Sequence, residues 1–228
     1  MPDVTIEAAD GGSFSAYVSG TGSAGMVVIQ EIFGVNDVMR GLTDYWASKG
    51  YTAICPDLFW RQEPGIQISD KTDEHWKKAF ALYQGFSETK GTEDLIQTVK
   101  FLRGMRSLKK VGAIGYCLGG KLAYLMATRS DVDAAVGYYG VGIDKSLDEA
   151  SAITKPLLLH IAGKDGFVPP EAQAQVKAAL SKNPLVEIET YPDDDHAFAR
   201  TGGQHYSEAS ATRANARTEA FFAEHLKG

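Results

Sequence analysis

The hexapeptide Gly115-Tyr116-Cys117-Leu118-Gly119-Gly120 restricts this chain more than any other stretch. It follows the apolar run Val111 to Ile114 and precedes the helix-like run Lys121 to Thr128. The pattern is that of a strand–nucleophile–helix turn, Gly-x-Ser-x-Gly, with Cys in place of Ser. In such a turn the nucleophile sits in a strained backbone conformation, and a Cβ at Gly115 or Gly119 would clash. Gly120 lets the helix start close to the strand. The amino terminus of that helix favours a thiolate on Cys117, and the backbone N–H of Leu118 is placed to meet a developing oxyanion. The same residues also suit a glycine-rich βα turn around a buried, inert Cys. An acid, a histidine and a second oxyanion donor, in the right order, would separate the two readings.

Along the chain, Val4 to Ala8 and Ser13 to Ser19 read as strands around the hairpin signal Asp10-Gly11-Gly12. Met26 to Gln30 reads as a buried strand ending at Glu31-Ile32-Phe33-Gly34. A loop at that place supplies the second oxyanion N–H in α/β-hydrolases. Asp37 to Lys49 has helical spacing and is closed by Gly50. Tyr51 to Cys55 is a strand stopped by Pro56. From Asp57 to Lys90 runs a long excursion carrying Phe59, Trp60, Trp76, Phe80, Tyr83 and Phe86, helical from about Asp73 to Tyr83. Those aromatics suit either ordinary helix packing or a pocket wall. Gly91 to Met105 is an amphipathic helix. Ala134 to Tyr139, Pro156 to Ala162 and Val186 to Tyr191 are further strands; Pro169 to Leu180 and Ser207 to Leu226 are further helices. Strands alternating with helices predict an α/β protein, a mostly parallel sheet with helices on both faces. No Pro/Gly/Ser-rich linker divides it, so residues 1–228 are expected to form a single domain.

Ligands of such sheets bind beyond the carboxyl ends of the strands. Glu31, Cys117, Asp165 and His196 all fall just after predicted strands. Nucleophile, acid and His occur in the order this fold requires. His196 would take the thiol proton and later protonate the leaving oxygen. Asp165 would fix the imidazole tautomer. Taken singly, Asp165 in Lys-Asp-Gly suits a turn or cap, and His196 suits a solvent loop beside an acidic run. Asp195 is a poor rival for the acid, because adjacent side chains rarely point at one another. His160, inside a strand, reads as a core histidine; His75, His205 and His225 read as surface; Cys55 reads as inert packing.

A net charge of −6 and the lack of a Lys/Arg cluster argue against a nucleic-acid partner. No stretch reaches the roughly 18 apolar residues of a membrane span, and MPDVTIEAADGG shows no signal peptide. Two Cys make no disulfide framework, and a working thiol suits a reducing cytoplasm. No metal-ligand spacing and no dinucleotide fingerprint is visible, so neither metal nor cofactor is expected. The expected partner is a small-molecule substrate, and the expected state a monomer.

With these residues in place, the chain resembles the dienelactone hydrolase (carboxymethylenebutenolidase) family from about Met26 to the last helix. The pieces that carry the likeness are Gln30-Glu31-Ile32-Phe33-Gly34, Cys55-Pro56-Asp57-Leu58, the Cys117 hexapeptide, Val136-Gly137-Tyr138-Tyr139-Gly140-Val141-Gly142 and His196-Ala197-Phe198-Ala199-Arg200. The resemblance implies an α/β-hydrolase fold with Cys117, Asp165 and His196 as the triad and an oxyanion hole from the Ile32 and Leu118 amides. It implies that Glu31 holds the resting thiol and releases it when substrate binds. It implies that Arg200 binds a substrate carboxylate and that Phe33, Trp76 and Tyr83 line the pocket. The family pocket has a second arginine on the excursion helix, four residues before an aromatic; this chain has Trp76 there, before Phe80. The implied reaction opens an unsaturated lactone through a Cys117 acyl-thioester to a maleylacetate-type oxo-acid, in the degradation of aromatic compounds. A broader ester or thioester hydrolase, a catalytically silent binder of the same fold, and a thiol redox protein remain as rivals.

Overall fold

All eight expected strands form in a computed structural model that describes residues 3–227. Met1 and Pro2, the first residues of the segment read for a signal peptide, lie outside the described residues. The chain divides into two compact units, with the boundary between Gly112 and Ala113.

The first unit holds β1 (Val4–Glu7), β2 (Ser13–Ser19), β3 (Ala24–Ile29) and β4 (Tyr51–Pro56) in the order β1-β2-β4-β3. β1 and β2 form the antiparallel hairpin, with Val4 opposite Ala16. Its turn needs glycine: Gly11 and Gly12 lie at φ 91° and 83°, where a Cβ is strained. β2 runs antiparallel to β4, and β4 runs parallel to β3. β3 and β4 are buried throughout, which is why they read as unbroken apolar runs rather than alternating ones. Helix α1 (Asp37–Ser48) is capped by the Asn36 side chain, which accepts the Met39 N–H at 3.1 Å.

The excursion is held by charge. Asp94 is fully buried, accepts the Trp60 indole N–H at 2.9 Å and pairs with Arg61. The same guanidinium reaches Asp10 at 2.5 Å, which joins the hairpin turn to the excursion. Helices α2 (Asp73–Gln84) and α3 (Glu88–Arg106) start at the caps Thr72 and Ser87. α3 begins three residues before the expected Gly91, because its first turn is fixed by the Ser87 cap and carries no apolar stripe. The excursion aromatics divide into separate contacts: Trp60 stacks on Phe14, Phe59 meets Phe86 edge-on, and Trp76 stacks on Phe80.

The second unit continues with β5 (Val111–Tyr116, which crosses the boundary), α4 (Leu118–Arg129), β6 (Ala134–Tyr138), β7 (Leu157–Ala162), α5 (Pro170–Leu180), β8 (Val186–Tyr191) and α6 (Glu208–Leu226). The strand order is β5-β6-β7-β8. β6–β7 and β7–β8 are parallel, with Val136 beside Leu158 and Leu158 beside Glu187. α4 packs on β6, and α6 packs on β6 and β7. Between β6 and β7 lies a 3-10 run, Ile143–Ala152, which the sequence reading did not include. Gly142 starts it at φ 85°. Among the described residues no helix is long and apolar enough to cross a membrane.

His160 on β7 is the satisfied core histidine expected. It is 1% exposed; Nδ1 pairs with the Tyr191 hydroxyl at 3.0 Å and Nε2 with Thr218 Oγ1 at 2.8 Å. Burial holds its pKa down at about 3, with Arg217 and Arg213 adding to the shift. The unfolded chain therefore binds a proton below about pH 6.5 that the folded chain refuses until about pH 3. Stability from this group is complete above pH 6.5 and is lost as the pH falls, on the order of several kcal/mol at the acid end. His160→Gln, which can keep hydrogen bonds but cannot titrate, is expected to flatten the acid side of a plot of urea midpoint against pH. An acid limb as steep as in the parent chain would reject this account.

Candidate active site

The turn between β5 and α4 has the geometry its glycines suggest. Cys117 lies at φ 57°, ψ −114°, a conformation L-residues rarely adopt, and is the residue immediately before α4. Its amide donates to the Tyr138 carbonyl at 3.1 Å, and its carbonyl accepts the Gly120 N–H at 3.0 Å. A Cβ on Gly115 would come within 1.8 Å of the Gly119 carbonyl oxygen, and one on Gly120 within 2.4 Å of the Tyr138 carbonyl. Both obstacles are backbone, so neither can move aside as a side chain would. Gly115→Ala is expected to cost roughly 3 kcal/mol of stability or more, read as a fall in urea midpoint; an unchanged midpoint would contradict this packing. α4 starts at Leu118 rather than at the expected Lys121. The glycine pair 119–120 hides the first turn from any propensity argument, and close packing on β6 supplies what propensity lacks.

Asp165 follows β7, and its turn role and its site role coexist. Oδ1 accepts the Phe167 N–H at 2.8 Å while Oδ2 lies 2.9 Å from His196 Nδ1. Asp165 and His196 are 6% and 7% exposed. Cys117, whose side chain is half-buried, is close enough to His196 for its sulfur to act on the imidazole. His196 is therefore hydrogen-bonded to Asp165 and lies near the Cys117 sulfur. Burial opposes charge on His196, but the negative sulfur and the Asp165 carboxylate outweigh it and raise the pKa to about 10. With Nδ1 directed at the carboxylate, the imidazolium is stabilised at neutral pH.

Two aromatic rings hold the imidazole, and the sequence reading assigned neither. Tyr139 meets it edge-on at 5.1 Å and Phe167 at 4.9 Å. Tyr139 stands at φ 39° with its N–H on the His160 carbonyl at 2.8 Å. Phe167 is 48% exposed although it packs on a buried residue. Its signal in the sequence was its place two residues after Asp165. Ala197 at φ 62° begins the turn that carries Arg200, whose N–H returns to the Ala197 carbonyl at 2.9 Å. Arg200 is half-buried.

In the first unit, Glu31, Ile32 and Phe33 follow β3 and are all buried. Gln30, fully buried, was quoted only as part of a motif. Its Oε1 accepts the Leu58 N–H at 3.0 Å and its Nε2 donates to the Glu31 carbonyl at 3.1 Å. That bond fixes the plane of the peptide whose other side is the Ile32 N–H. Phe33 meets Trp76 edge-on at 5.0 Å. The Trp76 indole N–H donates to the Asp70 carbonyl at 3.0 Å. Tyr83 is half-buried on α2. His75 lies beside Ser69, 3.2 Å from its hydroxyl. Cys55 is fully buried, and burial together with Asp57 pushes its thiol well above the ordinary range. No group of three or more His, Cys, Asp and Glu side chains that could hold a metal ion occurs among the described residues.

Comparison with known proteins agrees with the fold. The model of the dienelactone hydrolase family matches residues 14–226. An Azospirillum brasilense protein named provisionally as a carboxymethylenebutenolidase is 54% identical, over 99% of this chain and all of that one. A Pseudomonas putida carboxymethylenebutenolidase is 38% identical, over 96% of this chain and 95% of that one. A crystal structure from Klebsiella pneumoniae, described provisionally as a dienelactone hydrolase, superposes with a TM-score of 0.83 at 27% identity, covering 97% of each chain.

Proposed function

Given that the chain belongs to the dienelactone hydrolase family, and so has the α/β-hydrolase fold and is a hydrolase of that type, we propose that it opens unsaturated lactones through an acyl-thioester on Cys117. The observation that carries this reading is Cys117 at a strained strand–helix turn, beside a buried His196 that is hydrogen-bonded to Asp165.

The Cys117 thiolate attacks the lactone carbonyl and forms a C–S bond. The oxyanion rests on the Leu118 and Ile32 amides. Support for Leu118 is its place as the first residue of α4; support for Ile32 is the peptide plane that Gln30 fixes. The ring C–O bond breaks, and the oxygen leaves as a resonance-stabilised enolate that takes its proton from the His196 imidazolium. Such a leaving group is weakly basic, so a thiolate is a sufficient nucleophile. Acylation removes the sulfur's charge, which is one of the causes that raise the His196 pKa. The imidazole is then free to accept a proton from water, which attacks the thioester and releases a maleylacetate-type oxo-acid. The reaction belongs in the degradation of aromatic compounds. Glu31 holds the thiol in the resting protein, Arg200 binds the substrate carboxylate, and Phe33, Trp76 and Tyr83 line the pocket.

Trp76 favours a second, broader reading. Its one N–H is used by the Asp70 carbonyl, so it offers a ring face and no charge. An ester with an apolar acyl part suits that surface. The test is rapid acid quench during turnover of a dienelactone and of an aryl acetate, followed by peptide mass mapping. An acyl adduct on the Cys117 peptide with both, and faster turnover of the dienelactone, is expected. Turnover of the aryl ester alone selects the broader reading; an adduct on another residue ends both.

A further inference from the structure

Asp195 is a poor rival for the acid, as expected, because its side chain does not face the imidazole; it faces the backbone instead. Its Oδ1 accepts the His196 N–H at 2.6 Å and the Gly166 N–H at 3.0 Å. Gly166 directly follows Asp165. One carboxylate oxygen therefore ties the segment that carries the acid to the segment that carries the base. Its Oδ2 lies 3.3 Å from His205 Nδ1, so the group is steadied from the far side as well. Closer to the strands, the two segments are laced by backbone bonds, Gly163 N–H to the Tyr191 carbonyl at 2.7 Å and Lys164 N–H to the Asp194 carbonyl at 2.9 Å. Asp195 continues that lacing with a side chain where the backbones diverge, one rung before the Asp165–His196 contact.

We propose that Asp195 is a positioning residue that sets the Asp165–His196 geometry and, through it, the reactivity of Cys117. This rests on the roles given above to Cys117, His196 and Asp165. A single oxygen held 2.6 Å from one N–H and 3.0 Å from the other fixes where the two segments sit, so its position governs the geometry. Misplacing a reacting group by about 1 Å costs on the order of 100-fold in rate. Burial pushes the Asp195 carboxyl up, but the His196 and Gly166 amides and the two nearby imidazoles hold it below its usual range. The group is ionised at neutral pH and always available as an acceptor.

Two variants separate geometry from charge. Asp195→Asn keeps an oxygen at the same place and removes the charge. Asp195→Glu keeps the charge and moves the oxygen by one methylene. The first readout is the rate at which iodoacetamide alkylates Cys117 at neutral pH, which needs no lactone. The others are kcat and KM on the best substrate and the downfield proton resonance of His196 Nδ1–H. Asp195→Asn is expected within about threefold of the parent in alkylation and kcat, with the resonance retained. Asp195→Glu is expected about 10-fold or more slower in both, with KM unchanged and the resonance shifted or broadened. Equal rates for both variants and the parent overturn the proposal, and so does a slow Asn variant beside a fast Glu variant. Should the dienelactone fail as a substrate while the alkylation pattern holds, the substrate assignment falls and the role of Asp195 stands.

Discussion

Cys117→Ala is expected to lower kcat/KM on a dienelactone by at least about 10⁵-fold while leaving the urea midpoint nearly unchanged. In the proposed mechanism the substitution removes the atom that carries the acyl group. What remains, the oxyanion donors and the binding surface, supports a residual rate of about 10³–10⁴ over water in comparable triads. Stability should move by less than about 1 kcal/mol. The side chain is only half-buried, and alanine has the same Cβ at the same φ of 57°, so the backbone strain is neither relieved nor increased. Substrate affinity, read by equilibrium binding, should survive. Turnover at even a hundredth of the parent rate would remove the thiol from the mechanism.

Asp165→Asn is expected to cost about 10³–10⁴-fold in kcat, for a reason visible in the hydrogen bonds. Phe167 N–H already claims Oδ1 at 2.8 Å, and His196 Nδ1 lies nearer to Oδ2, at 2.9 Å, than to Oδ1, at 3.1 Å. An asparagine there keeps its oxygen on that donor and turns its NH₂ toward His196. The imidazole must then accept at Nδ1 and carry its proton on the nitrogen that faces Cys117, which is the wrong tautomer for a base. The pH profile should move as well. Asp165 is among the groups that raise the His196 pKa to about 10. Without that carboxylate the imidazolium loses its proton at lower pH, so the alkaline limb of kcat/KM is expected to shift down by about 1–3 pH units. An alkaline limb that stays in place would show that the Asp165 charge does not govern the His196 proton.

Most of the strand and helix pattern was legible because it is local. Unbroken runs such as Tyr51 to Cys55 and Val111 to Ile114 belong to strands buried on both faces, whereas the Ser87 cap that starts α3 was not read. The elbow was legible because its glycines answer a clash that Gly119 and Tyr138 create. The 3-10 run Ile143–Ala152 was not, since it has neither a 3.6-residue stripe nor an N-cap side-chain hydrogen bond. The rings around His196 were not, because Tyr139 and Phe167 reach it from different strand ends and share no spacing. Asp195 shows the limit of a correct rule. Adjacent side chains do avoid each other, but a short carboxylate can still bond the next residue's amide, which the rule does not address.

The environments of the two cysteines differ enough to be useful at the bench. Cys55 is sealed in β4 and keeps its proton, whereas Cys117 stands at a half-open turn against an imidazole. An excess of a disulfide dye should therefore react first in a one-to-one ratio with catalytically competent molecules, before any unfolding. The burst would count functional protein directly in a preparation, and the second equivalent, released only by denaturant, would report the fraction still folded.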